Sequence, residues 1–196
     1  MQVDLASVLT VAAVSVALFG SLCAALVLTV LNLRTPRTVP LAVAGGLLLI
    51  TALTVAILPV TVPPMIGLIA AVLAIGLAVI GGNPVTRHVL ALATGGRVRE
   101  TADGGILLPA ARGDTAAEVE PLLRGGTTVG YLERLAVALT VVAGYPEAIA
   151  VVVAIKGIGR FSELATAEAR ERFIIGTLAS LLWACLCAAT VRLALG

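Results

Sequence analysis

Long apolar runs, separated by short charged or Pro/Gly-rich breaks, restrict what this chain can fold into. A helix needs about 20 apolar residues to cross the hydrocarbon core of a bilayer. Residues 5–33, 39–58, 65–82 and 173–195 each supply such a run. Hydrophobic residues make up 60% of the chain and charged residues only 12%, against roughly 25% charged residues in soluble domains. The sequence therefore predicts an all-α membrane protein with a single transmembrane domain over residues 1–196.

Two shorter apolar runs, residues 128–144 and 146–161, meet at the turn Gly144-Tyr145-Pro146-Glu147. This pattern predicts two antiparallel helices joined at the Gly144–Tyr145 bond. Each run has roughly 15 to 18 residues, which is near or below the usual lower limit of a span. Counting both, we expect about six transmembrane helices.

The segment between the third run and the hairpin predicts one short helix and one polar insert. In Gly81-Gly82-Asn83-Pro84, asparagine is a good N-cap and proline suits the first helical position. The third span should therefore end at residue 82, and a short interfacial helix should cover residues 84–94. Residues 97–126 form the only long polar stretch, and Asp103-Gly104 within it is typical of a β-hairpin turn. They predict a small extramembrane insert.

The basic residues predict the orientation, because cytoplasmic loops of membrane proteins carry an excess of Lys and Arg. With the N-terminus outside, only Arg192 of the 13 basic residues faces outward. We therefore expect both termini outside, the 97–126 insert in the cytoplasm and the Gly144–Glu147 turn outside. The residues then expected to contact anionic lipid headgroups at the inner surface are Arg34, Arg37, Arg87 and the lone histidine, His88.

Opposite charges on the two arms of the predicted hairpin lie at equal sequence distance from its turn. At about 1.5 Å per residue, Glu133 and Lys156 lie roughly 17 Å from the tip, near the middle of a hydrocarbon core of about 30 Å. Pairing limits the cost of removing two charges from water. We therefore expect the Glu133 and Lys156 side chains to meet inside the membrane.

Three further charges lie close to this predicted pair. Arg134 is rotated about 100° from Glu133 on the same helix, Arg160 lies one turn beyond Lys156, and Glu163 follows it. In a structural interpretation the pair fastens the hairpin, and Arg134 and Arg160 extend to the inner headgroups. In a functional interpretation these five charges form an intramembrane polar site for an ion, a proton or an anionic headgroup.

Small residues recur every fourth position on two of the long runs and predict close helix packing, within the chain or between copies in a homo-oligomer or larger complex. The first set lies on the third run and the second set on the last. They are Ala70, Ala74, Ala78 and Gly82, and Gly176, Ser180, Ala184 and Ala188.

Motifs of the familiar enzyme classes are missing from the sequence. It has no P-loop, HExxH, GxSxG or paired-aspartate motif. One histidine and three cysteines within apolar runs, Cys23, Cys185 and Cys187, predict no metal site. No basic surface with interleaved aromatic residues indicates nucleic-acid binding. We expect no cofactor, and membrane lipids as partners.

Several short motifs of the second half occur together in a distinctive set. They are Gly81-Gly-Asn-Pro-Val-Thr-Arg87, Gly130-Tyr-Leu-Glu-Arg134, Gly144-Tyr-Pro-Glu147, Lys156-Gly-Ile-Gly-Arg160 and Glu171-Arg-Phe-Ile-Ile-Gly-Thr177. Over about Gly81 to Ala184 the chain resembles a family of small bacterial polytopic membrane proteins with no established activity. The resemblance implies a multi-pass protein of the bacterial cytoplasmic membrane and supplies no reaction.

Three functions remain open at this point. The favoured one is a non-enzymatic transport or membrane-assembly factor whose polar site is the charged hairpin. A second is a membrane enzyme acting on a lipid headgroup at the inner leaflet, with Glu133 as acid/base and Lys156 and Arg160 as phosphate ligands. A third is a structural subunit of a membrane complex. A closed, fully paired hairpin would favour the structural function, a water-filled cavity reaching Glu133 would favour transport, and a cleft open to the inner leaflet would favour the enzyme.

Overall fold

The computed structural model describes residues 5–33, 37–58, 60–94, 99–100, 106–107, 126–161 and 166–196. Apart from two short strands, the elements in these ranges are helical, which confirms the all-α prediction. The helices are α1 (Leu5–Leu31), α2 (Thr38–Ile57), α3 (Pro64–Ala93), α4 (Gly126–Val142), α5 (Ile149–Gly159) and α6 (Ala167–Leu195), with a 3-10 turn, Pro146–Ala148, directly before α5.

The two strands lie on either side of the predicted turn at Asp103-Gly104. They are β1 (Arg99–Glu100) and β2 (Ile106–Leu107), and they pair antiparallel with Arg99 opposite Leu107. The turn residues themselves, and most of the predicted 97–126 insert, lie outside the described residues.

Four helices, α1, α2, α3 and α6, are long and apolar enough to cross a membrane. They support a membrane protein. The arms of the hairpin are shorter, because α4 has 17 residues and α5 has 11. The count of about six spans is therefore not confirmed.

Helix α3 corrects the prediction of a break near residue 83. It continues without interruption from Pro64 to Ala93, with Pro84 inside it, so the separate interfacial helix over 84–94 is wrong. Proline removes one backbone donor and tends to kink a helix. Membrane helices tolerate it where neighbouring helices satisfy the freed backbone groups. Side chains from α4 and α6 reach the α3 backbone at this point, as described below.

Helix α6 begins earlier than the predicted span, at Ala167 instead of residue 173. Its charged first turns are helical because two local interactions support them. The Thr166 hydroxyl caps the helix by accepting a hydrogen bond from the Ala169 backbone N–H at 3.1 Å. Arg172 donates to Glu168 one turn earlier on the same helix face.

Helices α3 and α6 form the centre of the bundle and run antiparallel. Gly67 of α3 lies against Leu195, Gly81 lies against Trp183, and Thr86 lies against Gly176. Helix α3 also contacts α1 and α4. Helix α6 also contacts α2 and α4, and α1 contacts α2. Helix α5 packs mainly on α4 and has no buried residue. The hairpin is therefore attached to the bundle through α4.

The two predicted stripes of small residues pack inside this bundle. Ala70, Ala74, Ala78 and Gly82 are buried on α3, and Ser180, Ala184 and Ala188 are buried on α6, where Gly176 is half-buried. Small side chains let the backbones of neighbouring helices approach closely, which favours helix association in lipid. The close-packing prediction is confirmed within the chain. Cys187 is buried, Cys23 and Cys185 are half-buried, and all three are free thiols.

Candidate functional site

The most deeply buried charge among the described residues is Arg134 on α4, which has 2% of its surface exposed. Its Nε donates a hydrogen bond to the Val79 carbonyl at 3.0 Å. One terminal nitrogen donates to Asn83 Oδ1 at 2.7 Å, and the other donates to Ser180 Oγ at 3.1 Å. The guanidinium therefore joins α3, α4 and α6 at one point.

All three hydrogen-bond acceptors of Arg134 are electrically neutral. No carboxylate of a described residue lies within ion-pair distance of it. The Tyr131 ring lies 5.3 Å from the guanidinium carbon and provides a cation–π contact. A guanidinium has five N–H donors, so these acceptors do not use its full capacity.

Two glycines make room for the arginine. A Cβ built on Gly82 would overlap Arg134 Cδ, and one built on Gly130 would lie 3.4 Å from a terminal guanidinium nitrogen. The side chain therefore lies against the bare α3 backbone, next to the proline that weakens it. Pro84 has no N–H to donate to the Ile80 carbonyl, and Arg134 donates to the carbonyl one residue earlier, that of Val79.

A second donor enters the α3 backbone from α6. Trp183 Nε1 donates to the Leu77 carbonyl at 3.2 Å, and its ring lies against Gly81, where a Cβ would be only 2.9 Å from Trp183 Cζ2. The Trp183 side chain is buried, with 5% of its surface exposed. Its hydrogen bond was not predicted. The segment Gly81-Gly82-Asn83-Pro84 is thus the point where α4 and α6 dock on α3.

The predicted partners Glu133 and Lys156 meet across the hairpin. Lys156 Nζ and Glu133 Oε2 form a salt bridge that joins α5 to α4, and both side chains are mostly buried, with 19% and 11% exposure respectively. Arg134 points into the bundle, away from this pair. The expectation that Arg134 extends to the inner headgroups is wrong, because Gly82 and Gly130 open a path between the helices.

The other predicted site residues are spread over one end of the molecule. Arg160 is the residue directly after α5 and is half-buried. Arg37 is exposed at the start of α2, and Arg87 and His88 are half-buried on α3. The His88 Nε2 atom is buried and has no hydrogen-bond partner among the described residues. Arg34 and Glu163 lie outside the described residues.

Two threonine hydroxyls, each one helical turn from an Arg134 acceptor, were not predicted as functional. Thr86 Oγ1 and Thr177 Oγ1 are buried and have no hydrogen-bond partner among the described residues. Most other described Ser and Thr hydroxyls in the helices donate to a carbonyl three or four residues earlier, as Thr29, Thr51 and Thr190 do. The sequence signal was the spacing: Thr86 is three residues after Asn83, and Thr177 is three residues before Ser180.

Two grooves are apolar. One, of about 410 Å³, lies between α1 and α2 and is lined by residues such as Ala17, Gly20 and Ile50. The other, of about 450 Å³, lies between α3 and α6 beside Trp183. Neither is lined by Glu133 or Lys156. In the described part of the chain, no cluster of His, Cys, Asp or Glu could hold a metal ion.

Comparison with known proteins gives no relative: no protein-family model, curated protein or solved structure matches this chain.

Proposed function

We propose that this chain is a multi-pass protein of the bacterial cytoplasmic membrane that acts as a small membrane-assembly factor through its charged hairpin. The observation that carries this proposal is the salt bridge between Lys156 and Glu133, which links the peripheral helix α5 to α4 of the bundle. The resemblance to small bacterial polytopic membrane proteins is part of the same proposal.

The position of the hairpin supports an intramembrane location for this pair. Arg192, near the end of α6, lies against Gly144, because a Cβ there would be 3.6 Å from Arg192 Nε. The hairpin tip is therefore at the bundle end that contains the α6 C-terminus and the α3 N-terminus. Glu133 and Lys156 lie roughly 17 Å from that tip, so a core of about 30 Å would place them near its middle. Whether the hairpin crosses fully or enters and returns, the number of crossings is even and both termini share one side.

Assembly is favoured over transport by where the charges lie. A transported ion or solute needs a polar path between helices, with the charged groups along it. Here the pair is on a peripheral hairpin, and the two apolar grooves do not include it. The arm α5 of this hairpin is apolar on its outer side, at Val151 and Ile155, which suits it to contact another membrane protein.

A double-mutant cycle tests whether the pair is only a fastening or also the functional site. Glu133→Gln and Lys156→Met each leave one charge in low dielectric, and we expect each to cost about 3 to 5 kcal/mol if fully buried, less for these partly exposed groups. The apolar double variant should be more stable than either single variant, and exchange of the two residues should partly restore stability. Glu168→Gln and Arg172→Met provide the comparison, since Glu168 is 66% exposed.

Function is then measured by complementation of a deletion strain with the same variants. We expect the stable double variant to fail in complementation. Photo-cross-links from Val151 on α5 to other membrane proteins should be lost, and photo-cross-links from Ile50 on α2 should not change. Full complementation by the double variant would mean that the pair only fastens the hairpin, and the assembly proposal would be wrong. Ion or solute flux through proteoliposomes that requires the pair would instead identify a transporter.

A further inference from the structure

We infer that Arg134, Thr86 and Thr177 form a binding site for a phosphate-type oxyanion at the junction of α3, α4 and α6. The site is separate from the Glu133–Lys156 pair and does not depend on the assembly function. Three observations on different helices point to the same ligand.

The first observation is a buried cation without a described counter-ion. Removing a guanidinium from water is costly unless charge or several hydrogen bonds compensate it. Arg134 has neutral acceptors on Val79, Asn83 and Ser180 and a contact with the Tyr131 ring. An oxyanion would supply the missing charge and would accept from the remaining N–H donors, for which the planar guanidinium is well suited.

The second observation is the pair of unpartnered hydroxyls. Thr177 is 8% exposed, and the Oγ1 atoms of both Thr86 and Thr177 are buried. A buried hydroxyl without a hydrogen-bond partner destabilises the folded chain, which is why such groups are rare. An oxyanion between α3 and α6 would accept a hydrogen bond from each.

The third observation is how these residues are spaced. Asn83 and Ser180 accept hydrogen bonds from the two terminal nitrogens of Arg134. Thr86 follows Asn83 by one turn of α3, and Thr177 precedes Ser180 by one turn of the antiparallel α6, so both threonines lie in the same direction along the bundle. Thr86 faces α6 at Gly176, where a Cβ would lie 3.7 Å from Thr86 Cγ2. On α4 the corresponding turn has Gly130, where a Cβ would lie 3.4 Å from a terminal guanidinium nitrogen.

The two threonines of the site lie at the depth of lipid phosphates, and Arg134 lies deeper in the bundle. At about 1.5 Å per residue, Thr86 lies roughly 33 Å along α3 from Pro64, and Thr177 roughly 27 Å along α6 from Leu195. If the opposite end of the bundle is at one hydrocarbon boundary, a core of about 30 Å puts these residues at the other. The described basic residues Arg37, Arg87 and Arg170 are at this same end. The oxyanion is therefore either the phosphate of a lipid headgroup or a free phosphate.

The two sources are distinguished by binding to purified protein in dodecyl maltoside, a detergent without phosphate. The probes are inorganic phosphate and short-chain phosphatidylglycerol, and the readouts are isothermal titration and the thermal unfolding midpoint. The test variant is Thr86→Val with Thr177→Val, which removes two hydroxyls that make no hydrogen bond in the described structure. Because it breaks no such bond, it should fold, and its midpoint without probe should equal or exceed that of the wild type.

We expect at least one probe to bind the wild type and raise its unfolding midpoint, and the double variant to bind it about tenfold more weakly or worse. The matched control is Thr190→Val, on the same helix α6, whose hydroxyl already donates to Leu186 O at 2.7 Å. It should bind like the wild type. Binding of phosphatidylglycerol alone identifies a headgroup phosphate, and binding of inorganic phosphate identifies a free one. If neither probe binds, or if the wild type and the double variant bind equally, the site does not exist.

Discussion

Arg134 of α4 lies directly on the backbone of Gly82 in α3, so that a side chain at position 82 and the arginine cannot occupy the same space. This relationship joins α4 to the part of α3 that contains an internal proline and two adjacent glycines. The bare surface at Gly82 makes room for the Arg134 side chain, whose Nε donates to the Val79 carbonyl. The stability of the bundle should therefore depend on a glycine more than on most of its apolar residues.

Gly82→Ala should destabilise the protein strongly. The new methyl group would displace the Arg134 side chain and break its three hydrogen bonds. Overpacking alone typically lowers the free energy of unfolding by about 1–3 kcal/mol, and we expect a larger loss here. Gly76→Ala is the control on the same helix, because a Cβ there meets nothing within 4 Å. Unfolding followed in detergent should show a large loss for Gly82→Ala and little change for Gly76→Ala. Equal midpoints for the two variants would mean that Arg134 does not occupy this place.

Trp183→Phe should cost about 1 kcal/mol, because the hydrogen bond from Nε1 to the Leu77 carbonyl is lost while the ring still covers Gly81. Trp183 is the only tryptophan of the chain, so fluorescence of the wild type reports its surroundings directly. Emission at short wavelength, with little quenching by aqueous iodide, is expected for a ring that is 5% exposed. Emission typical of tryptophan in water would contradict the α3–α6 packing described here.

Cysteine labelling tests whether the hairpin crosses the membrane. In a background without the three native cysteines, Tyr145→Cys at the 70% exposed tip should react with an impermeant maleimide in intact cells if the hairpin crosses fully. Phe161→Cys, at the other end of α5 and 82% exposed, should react only after permeabilisation. A re-entrant hairpin would leave Tyr145→Cys unreactive in both conditions. Reaction of Phe161→Cys in intact cells would reverse the proposed orientation.

The basic residues at the inner end should hold the protein in its orientation. Near an anionic surface each contributes about 1 kcal/mol of attraction, so a combined Arg34→Gln, Arg37→Gln, Arg87→Gln variant should lose about 3 kcal/mol of this bias. We expect a mixed orientation, measured as partial labelling of Phe161→Cys from outside. Arg192→Gln, at the opposite end, is the control and should leave labelling unchanged. A uniform orientation in the triple variant would exclude headgroup attraction as its cause.

The sequence by itself determined the all-helical fold, with helices long and apolar enough to cross a membrane, and the meeting of Glu133 with Lys156. Both depend on local quantities: the length of apolar runs, and equal distances from a turn whose Gly144 has a φ of 82°, a conformation that glycine adopts readily. The tertiary structure decided the course of α3 and the place of Arg134. Asn83 and Pro84 are good helix-starting residues in isolation, and an arginine beside a glutamate is expected to reach toward water. Neither preference decides the structure, because Arg134 of α4 and Trp183 of α6 find hydrogen-bond partners on neighbouring helices, which lipid cannot provide. Whether a neighbouring helix provides such partners cannot be read from local sequence.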